Sequence, residues 1–558
     1  MTHIASRPSP SSPEWLRIGR QILAPLLVIV ILAFVSYREN AGHPLDFWSM
    51  NDDYSNVCMT HGLSIDFWLS NTHRADGRKI TECNTLHPGF PLQASSWAAY
   101  RLSCMGKASD ARSRCEYTFA DPSAFWLTIR LMAIVTGLFC SALIARAASS
   151  HGFCYSMAVG LFYFCYDPAW DYSMRMLTNE TFALPLAFAV AWLAGRSLTS
   201  GENSSALKWW AAWGAVCAVC WLNKLNYIAW TAAAVPAWAV YFALRRPSLL
   251  EMGRRILVFA LGFIAAAYSL ATLLLGKGGL LQIVRLHRDV LTHSGSYGSG
   301  SEQVVSFGSV QTALQSLMAY RHFLVLAGAV CLIAAWILFS LARSGKAATS
   351  NATLIIYPFC AAVLFLVATL KHYSPHYLVA GVPAVTLLML AIGGHIGSKM
   401  RLLLSVAVGV VLMHSYRVYS VTSDMRYRYT EQTKASLRKI DNLPAKPGDT
   451  AIWAYRLPDR RFGMEFTHLL VDMPEIGEII DEKFPTQAAG YYPWRPTVRS
   501  GSEWVPLEQA KWRYAIFDSD LYRYFVEVHQ SESREFFEKH CRRIIDEPNV
   551  CVFERIGE

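Results

Sequence analysis

Long apolar runs separated by short polar connections dominate the first 420 residues of the chain. Most runs are about 18 to 22 residues long with few charges inside, which is enough to cross the roughly 30 Å hydrocarbon layer of a bilayer. The pattern predicts about eleven membrane-spanning helices. Their predicted bounds are 20–36, 124–145, 152–166, 181–198, 209–223, 226–244, 255–275, 320–341, 353–370, 377–394 and 401–419.

The pattern changes from Ser420 onward, where charged residues are frequent and no apolar run reaches membrane length. We expect a helical connector from Asp424 to Asn442. Short apolar runs between turn residues predict strands at 450–455, 514–517 and 550–553, with helices near 475–483 and 531–545. The predicted fold is an α-helical polytopic membrane protein with a small C-terminal extracytoplasmic α/β domain.

Composition supports a membrane location. The 558 residues are 53% hydrophobic and only 16% charged, whereas a soluble chain carries about 25% charged residues. The net charge is +10, but the basic residues gather in the short connections on one side. This bias is typical of membrane orientation, so we expect no nucleic-acid partner.

The basic connections fix the predicted topology. With the N-terminus in the cytoplasm, the internal connections hold most of the basic residues, among them Arg146, Arg196, Arg245, Arg343 and Arg401. We therefore predict a disordered cytoplasmic tail at 1–19, a transmembrane domain at 20–420 and an extracytoplasmic domain at 421–558. The implied localisation is a bacterial inner membrane. Six of the 13 cysteines lie on the predicted outer side, where disulfides can form, but their pairing stays open.

An acidic pair, Asp52 and Asp53, follows the first predicted span and precedes Tyr54. Adjacent carboxylates at a membrane surface raise at least one pKa unless a cation is near. The pair suits a general base or an ion ligand. The alternative is the solvated start of a loop.

Other polar groups stand at the predicted outer ends of spans, where charge is expensive and indicates function. They are Arg175, Asn179, Glu180, Lys224, Lys371, His372, His376 and Tyr377. Basic residues in outer turns run against the positive-inside bias, so they suggest an anionic partner such as a lipid-linked phosphate. The alternatives are a snorkelling lysine, a helix-capping Glu180 and interfacial anchors at His376 and Tyr377.

The predicted outer loop at 276–318 contains an amphipathic piece, Leu280 to Leu291, between Gly- and Ser-rich runs. Such flexible flanks allow a lid that closes over substrate. A surface helix lying on lipid headgroups explains the same pattern.

Several short motifs resemble those of the GT-C superfamily of integral-membrane glycosyltransferases. Asp52-Asp53-Tyr54 is similar to the acidic pair of the branch that includes lipid A aminoarabinose transferases and protein O-mannosyltransferases. The stretches 87–92, 177–185 and 376–384 are similar to three later motifs of that branch, in the same order. The chain departs from the family in having His376 where Arg is usual, and Asp53 where Glu is usual.

The resemblance implies a polyprenyl-phosphate-linked sugar donor and, in some members, a divalent metal. Asp52 inherits the position of the catalytic base, and Glu180 that of the second acid. Asp53 and Glu180 are then the candidate metal ligands. Phosphate contacts are expected from Lys371, His372, Arg175, Lys224, His376 and Tyr377. Tyr54, His87 and Asn179 are expected to position the acceptor.

The sequence thus predicts an inverting membrane glycosyltransferase that moves a sugar to an acceptor hydroxyl on the extracytoplasmic face. The acceptor is a lipid, a polysaccharide or a protein. A transporter or flippase of a lipid-linked saccharide would use the same cationic pocket without chemistry, although the internal repeats typical of transporters are not evident. A non-catalytic envelope assembly factor is the third alternative.

Overall fold

The computed structural model describes most of the chain. The described residues are 14–41, 54–70, 89–200, 204–292, 307–344, 349–371, 375–440, 443, 451–453, 474–483, 489–492, 497–500, 503–523, 526 and 531–556. They form two compact units. The first, here called the bundle unit, comprises Met1–Arg38, Thr85–Leu92 and Met132–Ser420, and the second comprises Glu39–Asn84, Gln93–Leu131 and Val421–Glu558.

Helices account for nearly all of the bundle unit and for part of the second unit. In chain order they are Glu14–Ala41 (α1), Tyr54–Leu69 (α2), Phe90–Ser103 (α3), Ala111–Ala120 (α4), Ser123–Ala147 (α5), Phe153–Leu161 (α6), Asp167–Met174 (α7), Ala183–Thr199 (α8), Ser204–Asn223 (α9), Ile228–Arg245 (α10), Leu249–Leu275 (α11), Gly279–Thr292 (α12), Phe307–Leu317 (α13), Arg321–Ser344 (α14), Thr349–Lys371 (α15), Pro375–Val379 (α16), Val382–Ile392 (α17), Ser398–Ile440 (α18), Pro474–Lys483 (α19), Ser519–Leu521 (α20) and Ser531–His540 (α21).

The second unit contains a seven-stranded mixed sheet. Its strands are Ala451–Trp453 (β1), Ala489–Tyr492 (β2), Thr497–Ser500 (β3), Glu503–Pro506 (β4), Tyr514–Asp518 (β5), Cys541–Asp546 (β6) and Val550–Arg555 (β7). The strand order is β4-β3-β2-β1-β5-β7-β6. Strand β1 pairs parallel with β2 and β5, and the other pairs are antiparallel.

Eight of the described helices are long and apolar enough to cross a membrane, and two shorter apolar helices span 153–165 and 376–392. Large apolar side chains cover the outside of the bundle unit; Leu332 is 73% exposed and Trp336 is 69% exposed. Such a surface is stable only in a lipid environment. The chain is therefore an integral membrane protein.

The interior of the bundle unit is rich in aromatic residues, and some of their polar atoms hydrogen-bond one another or the backbone. The Trp213 indole N–H donates to the Tyr357 hydroxyl (3.2 Å), and that hydroxyl donates to the backbone carbonyl of Trp230 (2.9 Å). All three side chains are buried. A buried polar atom needs such a partner because lipid and protein interior offer no water.

Several basic residues lie together at one end of the bundle, near the ends of α8 to α11, and we call this end the basic face. Arg196 near the end of α8 and Lys208 near the start of α9 both lie over the Trp209 ring, at 5.3 and 5.4 Å from its centroid. Arg255 at the start of α11 bonds Tyr241 near the end of α10. Helix ends joined by short connections meet here.

The predicted fold class is confirmed, with corrections of detail. The count of eleven spans is not confirmed, because three predicted spans, at 152–166, 209–223 and 377–394, are not among the eight long apolar helices. The predicted helix at 531–545 ends at His540, and strand β6 follows. Strands β2, β3 and β4 were not predicted. The predicted helix at Leu280–Leu291 corresponds to α12, and its role as a lid stays a prediction.

Candidate active site

A single 3₁₀ turn, Asn179–Phe182, presents Asn179 and Glu180 at the start of α8. The Thr178 hydroxyl accepts a hydrogen bond from the Glu180 backbone N–H (3.1 Å), and the Thr178 N–H donates to Thr181 Oγ1 (2.9 Å). Thr181 Oγ1 donates in turn to the Tyr172 carbonyl oxygen (2.6 Å). This reciprocal cap fixes the turn, because the first N–H groups of a helix otherwise lack partners.

Glu180 forms an ion pair with Lys224, which lies between α9 and α10. Lys224 Nζ is 2.5 Å from Glu180 Oε1, and the two side chains are 12% and 0% exposed. The same ammonium group lies 4.5 Å from the centroid of the Tyr377 ring. The charges of Lys224 and His376 both act on the Glu180 carboxylate. The structure thus brings together four predicted site residues from α8, the α9–α10 turn and α16.

Two asparagines flank Lys224 and tie its turn to the neighbouring segments. Asn223 Nδ2 donates to the Asn179 carbonyl oxygen (2.9 Å), and Asn226 Nδ2 donates to the Tyr377 carbonyl oxygen (3.2 Å). The Tyr227 hydroxyl also donates to the Asn179 carbonyl (3.3 Å). The end of the bundle where these groups meet is here called the site face.

Four buried oxygens at the site face have no hydrogen-bond partner within the described chain: Asn179 Oδ1, Glu180 Oε2, Asn223 Oδ1 and Asn226 Oδ1. Exchanging the amide oxygen and nitrogen of Asn223 or Asn226 would not give the oxygen a donor, because it would then face a backbone carbonyl. Each buried acceptor without a donor costs about 1–3 kcal/mol. Their concentration around one ion pair makes this place the candidate functional site.

Gly89 approaches this cluster from the segment before α3. Its backbone has φ of +21°, and a β-carbon at this position would lie 2.5 Å from Asn179 Oδ1. Only glycine avoids that clash. Gly89 belongs to the stretch 87–92, which resembles a family motif, and it lies against the Asn179 amide.

Arg175, which the sequence predicts to contact the donor phosphate, lies at the end of α7. Its guanidinium pairs with Asp171 one turn earlier (3.2 Å) and lies 5.6 Å from the Tyr419 ring centroid. The His376 ring lies 6.3 Å from the Tyr172 ring and 4.3 Å from the Tyr377 ring, measured between centroids. Phosphate contact by either residue stays a prediction.

The remaining predicted site residues fall into two groups. The first group lies wholly outside the described residues, and in the second only the backbone is described. Asp52, Asp53, His87 and His372 are in the first group. Tyr54 begins α2 and Lys371 ends α15, but their side chains are not described. The distance from Asp52 to Glu180 is therefore untested, and the role of Asp52 as the base stays a prediction.

The metal prediction rests on the same undescribed pair. Among the described residues, no group of three or more His, Cys, Asp and Glu side chains has the geometry of a metal site. Glu180 Oε2 is an unpartnered carboxylate oxygen and so fits a hard divalent cation. Asp53 would have to supply the second carboxylate.

Sequence reasoning missed Asn223, Asn226 and Tyr227. A signal was present, because Asn223-Lys224-Leu225-Asn226 places three polar side chains in one short turn between two apolar runs. Polar groups at that depth are expensive and indicate a site. Their hydrogen bonds to Asn179 and Tyr377 depend on how distant segments meet, which spacing along the chain does not encode.

Comparison with known proteins yields distant structural similarity only. No family profile and no curated protein matches the chain. Two solved structures of ArnT from Cupriavidus metallidurans are similar: one bound to undecaprenyl phosphate, with 14% identity and a TM-score of 0.46, and one in the apo state, with 13% identity and a TM-score of 0.47. Each alignment covers 95% of this chain and 97% of the other.

The archaeal oligosaccharyltransferase AglB from Archaeoglobus fulgidus, solved with an inhibitory peptide and a dolichol-phosphate, is also similar. Its identity is 9% and its TM-score 0.43, over 93% of this chain and 72% of the other. ArnT and AglB are members of the GT-C superfamily, which the sequence motifs resemble.

Proposed function

We propose that the chain is a membrane glycosyltransferase that moves a sugar from a polyprenyl-phosphate-linked donor to an acceptor hydroxyl at the site face. The observation that carries this proposal is the buried Glu180–Lys224 pair with its unpartnered oxygens. An ion pair at the ends of apolar helices is costly to bury. We therefore expect such a pair where it binds a ligand.

The unpartnered oxygens favour a sugar at this place. Glu180 Oε2, Asn223 Oδ1 and Asn226 Oδ1 are acceptors, and a pyranose supplies hydroxyl donors. A bare phosphate supplies only acceptors and meets a lysine whose charge Glu180 already offsets. The sugar ring is therefore assigned to the Asn223–Asn226 turn.

The donor phosphate is then assigned to the cations on the α15–α16 side, namely Lys371, His372 and His376. The glycosidic phosphate carries growing negative charge as the bond to the anomeric carbon breaks. Fixed cations stabilise that charge more in the transition state than in the ground state. Lys224 remains able to join them if its pair with Glu180 opens on donor binding.

The chemical step is a displacement at the anomeric carbon. Asp52 accepts the proton of the acceptor hydroxyl, the acceptor oxygen forms the new glycosidic bond, and the polyprenyl phosphate leaves with the bonding electron pair. Attack from the side opposite the leaving phosphate inverts the anomeric configuration. Asp53 and Glu180 orient the acceptor or a divalent cation.

Mass analysis of envelope lipids, polysaccharides and proteins tests this proposal in cells with and without the protein. We expect one class of acceptor to lose a defined sugar mass and to regain it on complementation. A second complementation with Asp52→Asn should leave the mass missing. Glycans that stay unchanged when the protein is removed would contradict the proposal.

A further inference from the structure

The bundle unit carries a second group of cations on its outer surface, made of residues other than those around Glu180 and Lys224. It consists of Arg38 in the last turn of α1, Arg321 and His322 at the start of α14, and His414 and Arg417 on α18. All five side chains are exposed. We call this group the headgroup patch.

Contacts between the three helices bring the patch together. The His322 and His414 rings lie 4.1 Å apart between centroids, and the Arg38 guanidinium lies 6.0 Å from the Tyr416 ring centroid. Arg321 precedes His322, and Arg417 is one turn beyond His414. The patch therefore spans the adjoining ends of α1, α14 and α18.

The patch lies at the end of the bundle opposite the basic face. Helix α14 ends with Arg343 and α18 begins with Lys399 and Arg401, so their basic-face ends are far from His322 and His414. Tyr320, just before α14, contacts the Tyr166 ring beside α7 (4.9 Å), and α7 belongs to the site face. Membrane orientation explains the basic face but does not explain cations here.

Within the described part of the chain, Arg38, Arg321 and Arg417 form no ion pair with a carboxylate. The carboxyl group of Asp167 hydrogen-bonds Ser415 and lies near both imidazoles, so His322 and His414 have an acidic neighbour. Three exposed guanidinium groups thus remain for an outside anion.

We propose that the headgroup patch binds the phosphate of an anionic bilayer lipid. The patch lies where the predicted spans 20–36, 320–341 and 401–419 leave the membrane, which is the depth of lipid headgroups. Arginine binds phosphate through its planar fork of donors, and the imidazole N–H groups supply further donors. The exposed apolar surface of α14 and α18 below the patch accommodates the acyl chains.

Native mass spectrometry of the full chain in a neutral detergent tests this inference, with phosphatidylglycerol and phosphatidylcholine added in turn. We expect the wild type to bind phosphatidylglycerol more tightly. The triple variant Arg38→Gln/Arg321→Gln/Arg417→Gln should lose about 100-fold in phosphatidylglycerol affinity, at about one kcal/mol for each arginine. Its phosphatidylcholine binding should not change.

Two control variants distinguish lipid binding at the headgroup patch from a general effect of the protein's positive charge. The variant Arg523→Gln/Arg534→Gln/Arg542→Gln removes three exposed guanidinium groups from the second unit and should bind phosphatidylglycerol as the wild type does. Replacing the three patch arginines by lysine should restore part of the affinity, because lysine keeps the charge but lacks the fork.

Equal binding of the two lipids by the wild type would overturn the inference. Equal loss in both triple variants would do the same, as would displacement of the lipid by millimolar inorganic phosphate, which would indicate a free-anion site. If the patch variant does not fold, Arg417→Gln alone is used, with an expected loss of about fivefold.

Discussion

At the scale of single residues, the candidate site depends on one lysine and the groups that surround it. Lys224 touches Glu180 and the Tyr377 ring, and the asparagines on either side of it hold the adjacent segments. A buried pair of this kind contributes less to stability than its charges suggest, because both ions lose their hydration. Removing one partner lowers the stability of the fold far more than removing both.

That asymmetry gives a prediction for stability. Lys224→Met and Glu180→Gln should each lower the free energy of unfolding by about 3 kcal/mol, because each leaves an uncompensated buried group. The double variant should lose clearly less than the sum. Unfolding by sodium dodecyl sulfate, followed by tryptophan fluorescence, measures the three variants. Additive losses to within about 0.5 kcal/mol would contradict a direct interaction.

A histidine at the opposite end of the bundle should make stability depend on pH. Burial, and next the charge of Arg401, lower the pKa of His151 to about 4, whereas the unfolded chain titrates near 6.5. The folded state therefore binds fewer protons than the unfolded state between those values, and stability falls as the pH drops from about 6.5 to 4.

His151→Asn should reduce this acid sensitivity. The backbone carbonyl of residue 151 still accepts the bond from Arg401 (2.8 Å), and the smaller side chain fits beside Gly393. The loss of Tm between pH 7 and pH 5 should be smaller in the variant than in the wild type. Identical losses in the two proteins would contradict the assigned pKa.

At the scale of elements, close contact between α9 and α11 holds one side of the bundle. Gly214 of α9 faces the Phe259 carbonyl, and Gly262 of α11 faces the Ala211 carbonyl, each too closely for a β-carbon. Small residues allow such approach, which is how helices associate when lipid supplies no hydrophobic drive. Trp221 near the end of α9 then packs on the α12 side chain His287 (5.3 Å between ring centroids).

We expect Gly214→Ala to destabilise the bundle by about 2 kcal/mol, because the methyl group forces the two helices apart. Gly253→Ala is the matched control on α11, since no heavy atom lies within 4 Å of its added β-carbon. It should be neutral or slightly stabilising. Unfolding in sodium dodecyl sulfate measures both, and equal effects would argue against close packing at Gly214.

The elements also show what the sequence could predict. Hydrophobic runs located the span helices, because crossing a bilayer demands length and apolarity, but they did not show that α18 continues from the predicted end at 419 to Ile440. Strands β2 to β4 escaped prediction because they are only four residues long and alternate weakly. Strand β6 begins at Cys541, directly after the end of α21. The charged side chains of β6 suit an exposed strand as well as a helix.

The candidate site could likewise be predicted only in part. Glu180 and Lys224 were predictable as charges at the ends of spans, since such charges are rare in lipid. Their direct pairing, and the bonds of Asn223 and Asn226, were not, because they join segments about 40 to 150 residues apart. Only the folded chain brings these segments together.

At the scale of the whole molecule, the bundle unit is polar at both ends in different ways. The basic face collects arginines at helix termini, whereas the site face combines carboxylate, lysine and unpartnered amide oxygens. An apolar belt lies between them. This division suits a protein that orients itself by one end and binds a lipid-linked ligand at the other.

The central claim is that the site face performs glycosyl transfer with Asp52 as the base. The most direct test is turnover and donor binding by Asp52→Asn, purified in lipid nanodiscs, with Asp424→Asn on the exposed side of α18 as the matched control. We predict that Asp52→Asn lowers kcat at least about 100-fold while donor affinity stays within about threefold. The control should behave as the wild type, and undiminished transfer by Asp52→Asn would contradict the mechanism.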